Sequence, residues 1–251
     1  MKKMLLFAAF AAASLFANAQ DSKTSENNDF KSQKGSFATE LNFNPFRGNL
    51  SLNNVLNQVK GRYFVNSNLA LRLGLNVNTI DSNLNYGNPY GTQASFSIDE
   101  RKSTSIGLSL GIEKHFKGTK RLSPYIGADV FWVTKSAEQS ISNNASTTNV
   151  KNGWLEVSYY QSGSSVYYSY RIMEGAYTRF GVSAIAGFDF YMAKNFFLGY
   201  EFNLGYSKTN FKSPEVTATG QNNGITNYYS DNSTSKFGTS LVNGIRIGYI
   251  F

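Results

Sequence analysis

From Ser36 onward, apolar residues recur at every second position in stretches of about ten residues. A period of two puts them on one face of a strand. Leu69, Leu71, Leu73, Leu75 and Val77 alternate with Ala70, Arg72, Gly74 and Asn76. Phe196, Leu198, Tyr200, Phe202, Leu204 and Tyr206 alternate with Gly199, Glu201, Asn203 and Gly205, and the stretch from Phe237 to Phe251 repeats the pattern. The pattern predicts eight strands, at 36–44, 54–64, 69–78, 103–116, 122–134, 178–191, 196–207 and 237–251. Parity breaks near Asn53–Asn54, so the second strand is expected to begin with a bulge or an irregular lead-in.

The connections alternate in length. Val65–Asn68, Lys117–Arg121 and Met192–Asn195 read as short turns. The segments 79–102, 135–177 and 208–236 read as long loops rich in Ser, Asn, Thr and Gly, with 45–53 intermediate. Short turns at one end, long loops at the other and an even strand number predict an all-β fold, an eight-stranded antiparallel transmembrane β-barrel. A ten-stranded alternative would recruit 154–160 and 166–172, but these seven-residue runs fall short of the ~9–11 residues a crossing strand needs.

The face opposite the apolar one is mostly Gly, Ser, Ala and Asn, with charges among them. Turned inward, the Phe, Leu and Tyr face would overfill an eight-stranded barrel; turned to lipid, it leaves small residues for the narrow interior. Phe180 and Phe190 are ten residues apart, as are Phe196 and Tyr206. Ten residues rise about 33 Å, which a tilt near ~40° projects to about 25 Å, the height of an outer-membrane apolar band. One aromatic girdle is expected at Phe37, Tyr63, Phe116, Phe190, Phe196, Tyr249 and Phe251, beside the short turns. The other is expected at Phe43, Trp132, Phe180, Tyr206 and Phe237. Lys114 shares the lipid-facing parity but sits near a turn, where it can snorkel.

Composition sharpens this reading. The 251 residues contain no cysteine, so no disulfide holds the fold. Mean hydropathy is −0.32, and no run of about 18 apolar residues follows residue 19, which argues against a helical membrane protein. Residues 1–19 have the form of a secretory signal peptide: Lys2 and Lys3, an apolar stretch from Met4 to Phe16, then the small-x-small pair Ala17 and Ala19. Residues 20–33 are expected to be a flexible periplasmic tail, and 34–251 the barrel domain. Removing Lys2 and Lys3 lowers the net charge from +8 to +6.

With GRYFVNSNLALRLGLNV at 61–77, RLSPYIGADVFWV at 121–133 and GIRIGYIF at the end, the chain resembles the small OmpA/OmpX-type outer-membrane β-barrel proteins. The resemblance spans essentially the whole chain after the signal peptide. It implies residence in the outer membrane, among outer-membrane lipid and lipopolysaccharide. It also implies that Tyr249 and terminal Phe251 act as the signal read by the barrel-assembly machinery. The family shares architecture more than chemistry.

Candidate chemistry lies on the polar face. Glu40, Glu113, Asp129, Asp189 and Glu201 share it with Arg62, Arg72, Arg179 and Arg246. An unpaired buried charge costs several kcal/mol, so these residues are expected to form a lumen network of ion pairs. Glu40 with Arg246 and Arg72 with Glu113 are level enough to pair. Such a network can plug the lumen or line a narrow charged pore. His115, the single histidine, points inward near a short turn and reads as a satisfied or partly wet rim residue. No outer-rim Ser–His or Asp–His arrangement is available, so no catalytic residues are expected. No metal-ligand spacing, cofactor motif or nucleic-acid module appears, and the basic residues are dispersed along the chain. Trp154, Tyr159, Tyr160, Tyr167, Tyr168 and Tyr170 suit a contact surface in a hairpin above the membrane. The expected role is therefore non-enzymatic, structural or surface-contact, with an extracellular ligand possible through the loops. A small-solute pore and, further off, a lipid- or peptide-modifying enzyme are the alternatives.

Overall fold

The computed structural model describes residues 30–43, 56–88, 90, 95–163, 165–220, 232–240 and 245–251. The expected signal peptide, the expected irregular lead-in near Asn53–Asn54 and most of the expected tail lie outside the described residues. Of Phe43, Tyr168 and Tyr170 only the backbone is described. Among the described residues every regular element is a strand.

The strands are β1 (Phe37–Phe43), β2 (Leu56–Asn66), β3 (Leu69–Asn88), β4 (Ser95–His115), β5 (Leu122–Asn143), β6 (Ser146–Lys151) and β7 (Gly153–Ser162). They continue as β8 (Ser165–Gly175), β9 (Tyr177–Ala193), β10 (Phe196–Phe211), β11 (Glu215–Gly220), β12 (Ser233–Ser240) and β13 (Ile245–Ile250). Antiparallel ladders run β1–β2–β3–β4–β5–β9–β10–β13 and return to β1, which closes a ring of eight strands. β12 continues the line of β13 along β10. The short turns gather at one end of the ring, the turn end. There Asn195 takes φ +66°, the left-handed conformation that lets β9 reverse into β10.

Alternation sets the two faces of the wall. Leu71, Leu73, Leu75 and Val77 on β3 point outward and are about half exposed, while Ala70 and Arg72 between them are buried. The same holds for Leu108 and Leu110 on β4, Val130 and Trp132 on β5, and Phe202 and Leu204 on β10. The outward aromatics meet as cross-strand partners: Phe37 with Tyr63 and Phe196 with Tyr249 at the turn end, Trp132 with Phe180 and Tyr206 with Phe237 farther up. Such pairs are the stabilising unit of a sheet.

Inside, the expected small-residue lumen needs correction. Phe64, Tyr125, Tyr191 and Phe197 are buried, and Phe64, Tyr191 and Phe197 cluster with Ala38, Ala70 and Ile250. The chain carries aromatic doublets, Tyr63-Phe64, Phe190-Tyr191 and Phe196-Phe197, with one ring turned out and its neighbour turned in. Small partners make the room. A Cβ on Gly248 would collide with the Phe197 ring.

Among the described residues, the segments 79–102, 135–177 and 208–236 are corrected from loops to largely extended strand. β3 and β4 stay paired from Leu69↔Lys114 to Asn88↔Ser95. Their upper halves are mostly polar, and the few apolar residues of β3 there, Ile80, Leu84 and Tyr86, share the parity of Arg72, so the outward apolar stripe stops while the backbone ladder continues. β5 also changes partner as it rises. Its rungs to β9 end at Lys135↔Tyr177, and those to β6 begin at Glu138↔Lys151. β6 pairs in turn with β11, so a five-stranded wall β3-β4-β5-β6-β11 stands above the ring.

β7 and β8 pair only with each other, as a two-stranded sheet outside the ring, and so add no strands to it. The hairpin is seated by Leu155 and Ile172, which pack with Val150 and Val216. Gln139 clamps the same point: its Oε1 accepts from Leu155 N at 2.6 Å and its Nε2 donates to Asp99 at 2.8 Å. Leu155→Ala should cost about 2–5 kcal/mol at this contact. We expect the cost to appear as proteolysis within 156–171 while the ring stays protected; equal loss of ring protection would contradict a separately seated hairpin.

Candidate functional site

The densest polar constellation fills the ring interior above the aromatic cluster. Glu40 on β1, Lys60 and Arg62 on β2, Arg72 on β3, Glu113 on β4, Asp189 on β9, Glu201 on β10 and Arg246 on β13 are all buried, and Asp129 on β5 is nearly so. The strands that close the ring thus supply the network one or two residues at a time, each from the inward parity.

The contacts interlock. Arg246 reaches Glu40 at 3.1 Å, Asp189 at 2.5 Å and Glu201 at 3.4 Å. Arg62 reaches Asp189 at 2.7 Å, Glu113 at 2.8 Å and Glu40 at 3.3 Å. Arg72 reaches Glu201 at 2.9 Å, Glu113 at 3.0 Å and Asp129 at 3.3 Å. Lys60 donates to Glu201 at 3.1 Å, and the Tyr125 hydroxyl donates to the same carboxylate at 2.8 Å. Each guanidinium touches three carboxylates, the arrangement for which a planar five-donor fork is suited. The 3.3 Å approaches of Arg62 Nε and Arg72 Nε are ion-pair contacts without hydrogen-bond alignment. Rings supply further contacts: Arg62 lies 4.7 Å from the Phe197 centroid, and Arg246 lies 5.0 Å from that of Tyr125. At Gly199 a Cβ would stand 2.8 Å from Asp189 Oδ1 and 2.9 Å from Arg246 Nη2, so a bare backbone is what admits this pair.

Both expected pairs, Glu40–Arg246 and Arg72–Glu113, form. Arg179 is corrected out of the network. It sits ten residues above Asp189 on β9, bonds Thr209 Oγ1 at 2.9 Å and lies 4.8 Å from the Tyr177 ring. Lys60 is the member that the parity reading missed, although a step of two from Arg62 leads to it.

His115 is buried rather than partly wet, between Phe64 at 5.4 Å and Tyr125 at 5.1 Å. Its Nε2 lies 3.0 Å from Glu113 Oε1 and its Nδ1 2.9 Å from Ser123 Oγ. A carboxylate only accepts, so Nε2 carries the proton that the contact requires. Ser, His and Glu are the residue types of a hydrolytic relay. Here Ser123 is buried and Glu113 also contacts Arg62 and Arg72.

The turn end is covered by residues expected to be flexible tail. Phe30 packs on the aromatic cluster and lies 4.7 Å from the Arg121 guanidinium. Ser32 is buried with its hydroxyl 3.2 Å from that of Tyr191, and Gly35 N donates to Phe64 O. Lys31 Nζ donates to Lys117 O at 2.6 Å, and partial burial pulls its ammonium below the ordinary lysine range. The aromatic doublets give this segment a surface to lie on.

Above the ring, Tyr159, Tyr160 and Tyr167 are exposed, and the Tyr160 and Tyr167 rings stack at 5.0 Å. Tyr168 and Tyr170 pair through backbone with Tyr159 and Val157. Trp154 belongs to the hairpin base, where its indole N–H donates to Lys102 O at 3.2 Å. No model of a known protein family matches the chain, and no curated protein matches it.

Arg246→Leu leaves Glu40 and Asp189 short of a cation and should cost about 3–5 kcal/mol. The double variant Glu40→Leu/Arg246→Leu should cost less than the sum of its single variants in urea unfolding. Simple additivity would show that the pair is not coupled.

Proposed function

We propose that this chain is an eight-stranded outer-membrane β-barrel, closed by its own buried charges. It works non-enzymatically, by holding a wall and a Tyr-bearing hairpin above the membrane for outside contacts. One observation carries the reading: charge is buried inside the ring while Leu, Val and Phe stand half exposed all around it. Water-soluble monomers rarely expose apolar patches beyond a few hundred Å². Lipid is the solvent that makes this distribution favourable.

The aromatic cross-strand pairs near the two ends of the apolar stripe support the same solvent. The resemblance in 61–77, 121–133 and the closing GIRIGYIF agrees with it. The interlocked network favours a closed lumen over the small-solute pore. The hairpin supports a contact role, since Tyr offers large area at small entropy cost.

In lipid vesicles, Leu73→Arg or Val130→Arg should cost about 2–4 kcal/mol of folding stability, with Thr219→Arg on the upper wall nearly neutral. A chain that stays monomeric in water without detergent would sink the membrane reading. In planar bilayers the wild type should show no stable open state of high conductance; finding one would overturn the closed lumen. Deleting 157–169 should remove binding to cell or host surfaces while the ring still inserts. Unchanged binding would remove the contact role from the hairpin.

A further inference from the structure

The turn end segregates charge by sign. The stretches 30–38, 65–71, 114–124 and 190–198 meet there and contain no Asp or Glu. They carry seven cations: Lys31, Lys34, Lys114, Lys117, Lys120, Arg121 and Lys194. The upper wall behaves oppositely. Asp81, Lys102, Glu138, Lys151 and Glu215 face one another rung by rung across five strands, so signs alternate. Among the described residues, Lys31, Lys34 and Lys194 at the turn end form no ion pair with a side-chain carboxylate.

That end also holds a cleft of about 350 Å³. Lys31, Gln33, Lys34, Lys194 and Asn195 line it with donors, and Ile250 and Phe251 line it with apolar surface. The lining is fixed in place: Lys31 is tied to Lys117 O, Gly35 to Phe64 O, and Ser36 Oγ accepts from Gln33 N at 3.1 Å. An ammonium has three donors, so Lys31 keeps two for a ligand. Phe37, Tyr63, Phe116, Phe190, Tyr249 and Phe251 stand exposed on the outer face at the same end. Several cations therefore lie within a few residues of the aromatic belt.

We propose that this cleft binds the phosphate headgroup of an anionic phospholipid in the membrane leaflet nearest the short turns. The proposal rests on the barrel reading. The belt places the cleft at headgroup depth; the lysines supply charge where the phosphate lies; and Ile250 and Phe251 meet the start of the acyl region. Each lysine near a charged membrane surface is worth about a fivefold gain in binding, falling off within a Debye length of about 8–10 Å. Three together give a clear preference even after screening.

The test uses the full chain reconstituted in phosphatidylcholine bilayers holding about one-fifth phosphatidylglycerol, with lipids retained on detergent release counted by native mass spectrometry. Protease protection scores insertion separately. The wild type should retain phosphatidylglycerol at about tenfold or more over its share of the bilayer. Lys31→Gln/Lys34→Gln/Lys194→Gln should insert normally and fall to near the bulk ratio. Lys102→Gln/Lys135→Gln/Lys151→Gln, which also removes three charges but from the upper half of the strands, should keep the preference. An inserted wild type without preference, or a triple variant that retains it, overturns the site while leaving the barrel standing. Full displacement of the lipid by millimolar inorganic phosphate at constant ionic strength makes the cleft a soluble-anion site and overturns the lipid assignment. A chain that does not enter the bilayer overturns the barrel reading and this proposal with it.

Discussion

The charges inside the ring can be buried only because they are buried together. Taking one carboxylate or guanidinium out of water costs several kcal/mol, and a lone pair seldom recovers it. Here Arg62, Arg72 and Arg246 each contact three acids, and Glu201 is shared by Arg72, Arg246, Lys60 and Tyr125. No rung of the ladder can slip by one residue without turning a member of this set to the outer face. The network therefore fixes register around the ring as well as filling it.

The outer face follows from the same constraint. Inward positions next to the network must be small, as Gly199 is beside Asp189 and Arg246. The apolar bulk then has only the other parity to occupy, and the wall turns its hydrophobic side out. A water-facing ring would bear that exposure as a penalty. A lipid-facing ring would gain from it, and the ladders that close at the turn end pair the strand edges there.

Strand order and most of the network were legible because both depend on parity. Counting by twos found the inward Glu40, Arg72, Glu113, Asp189, Glu201 and Arg246 and two of their pairings. Height along the strand was less legible. Arg179 shares the inward parity of Asp189 but stands ten residues away, beyond any side chain's reach. The polar extensions of β3, β4 and β5 were read as loops because their covered face carries polar side chains such as Asp99, Ser103 and Gln139, which leaves no apolar alternation to count. The inward aromatics hid for another reason. Tyr63-Phe64, Phe190-Tyr191 and Phe196-Phe197 look like continuous apolar runs, and only the register divides each doublet between two solvents.

Charge shows the limit of reading along the chain most clearly. In sequence the lysines and arginines look scattered, and a net +8 carries little meaning. Topology sorts them. Antiparallel strands return every short turn to one end, so cations as distant as Lys31, Lys117 and Lys194 become neighbours. Acids and bases on the upper halves of the strands are instead set opposite one another, rung by rung. The segment from Phe30 to Ser36 completes the asymmetry, because it lies across the turn end and adds two lysines there. One chain thus presents a wall of alternating charges at one end and a cluster of lysines at the other. No local window of the sequence contains the field that results at the turn end.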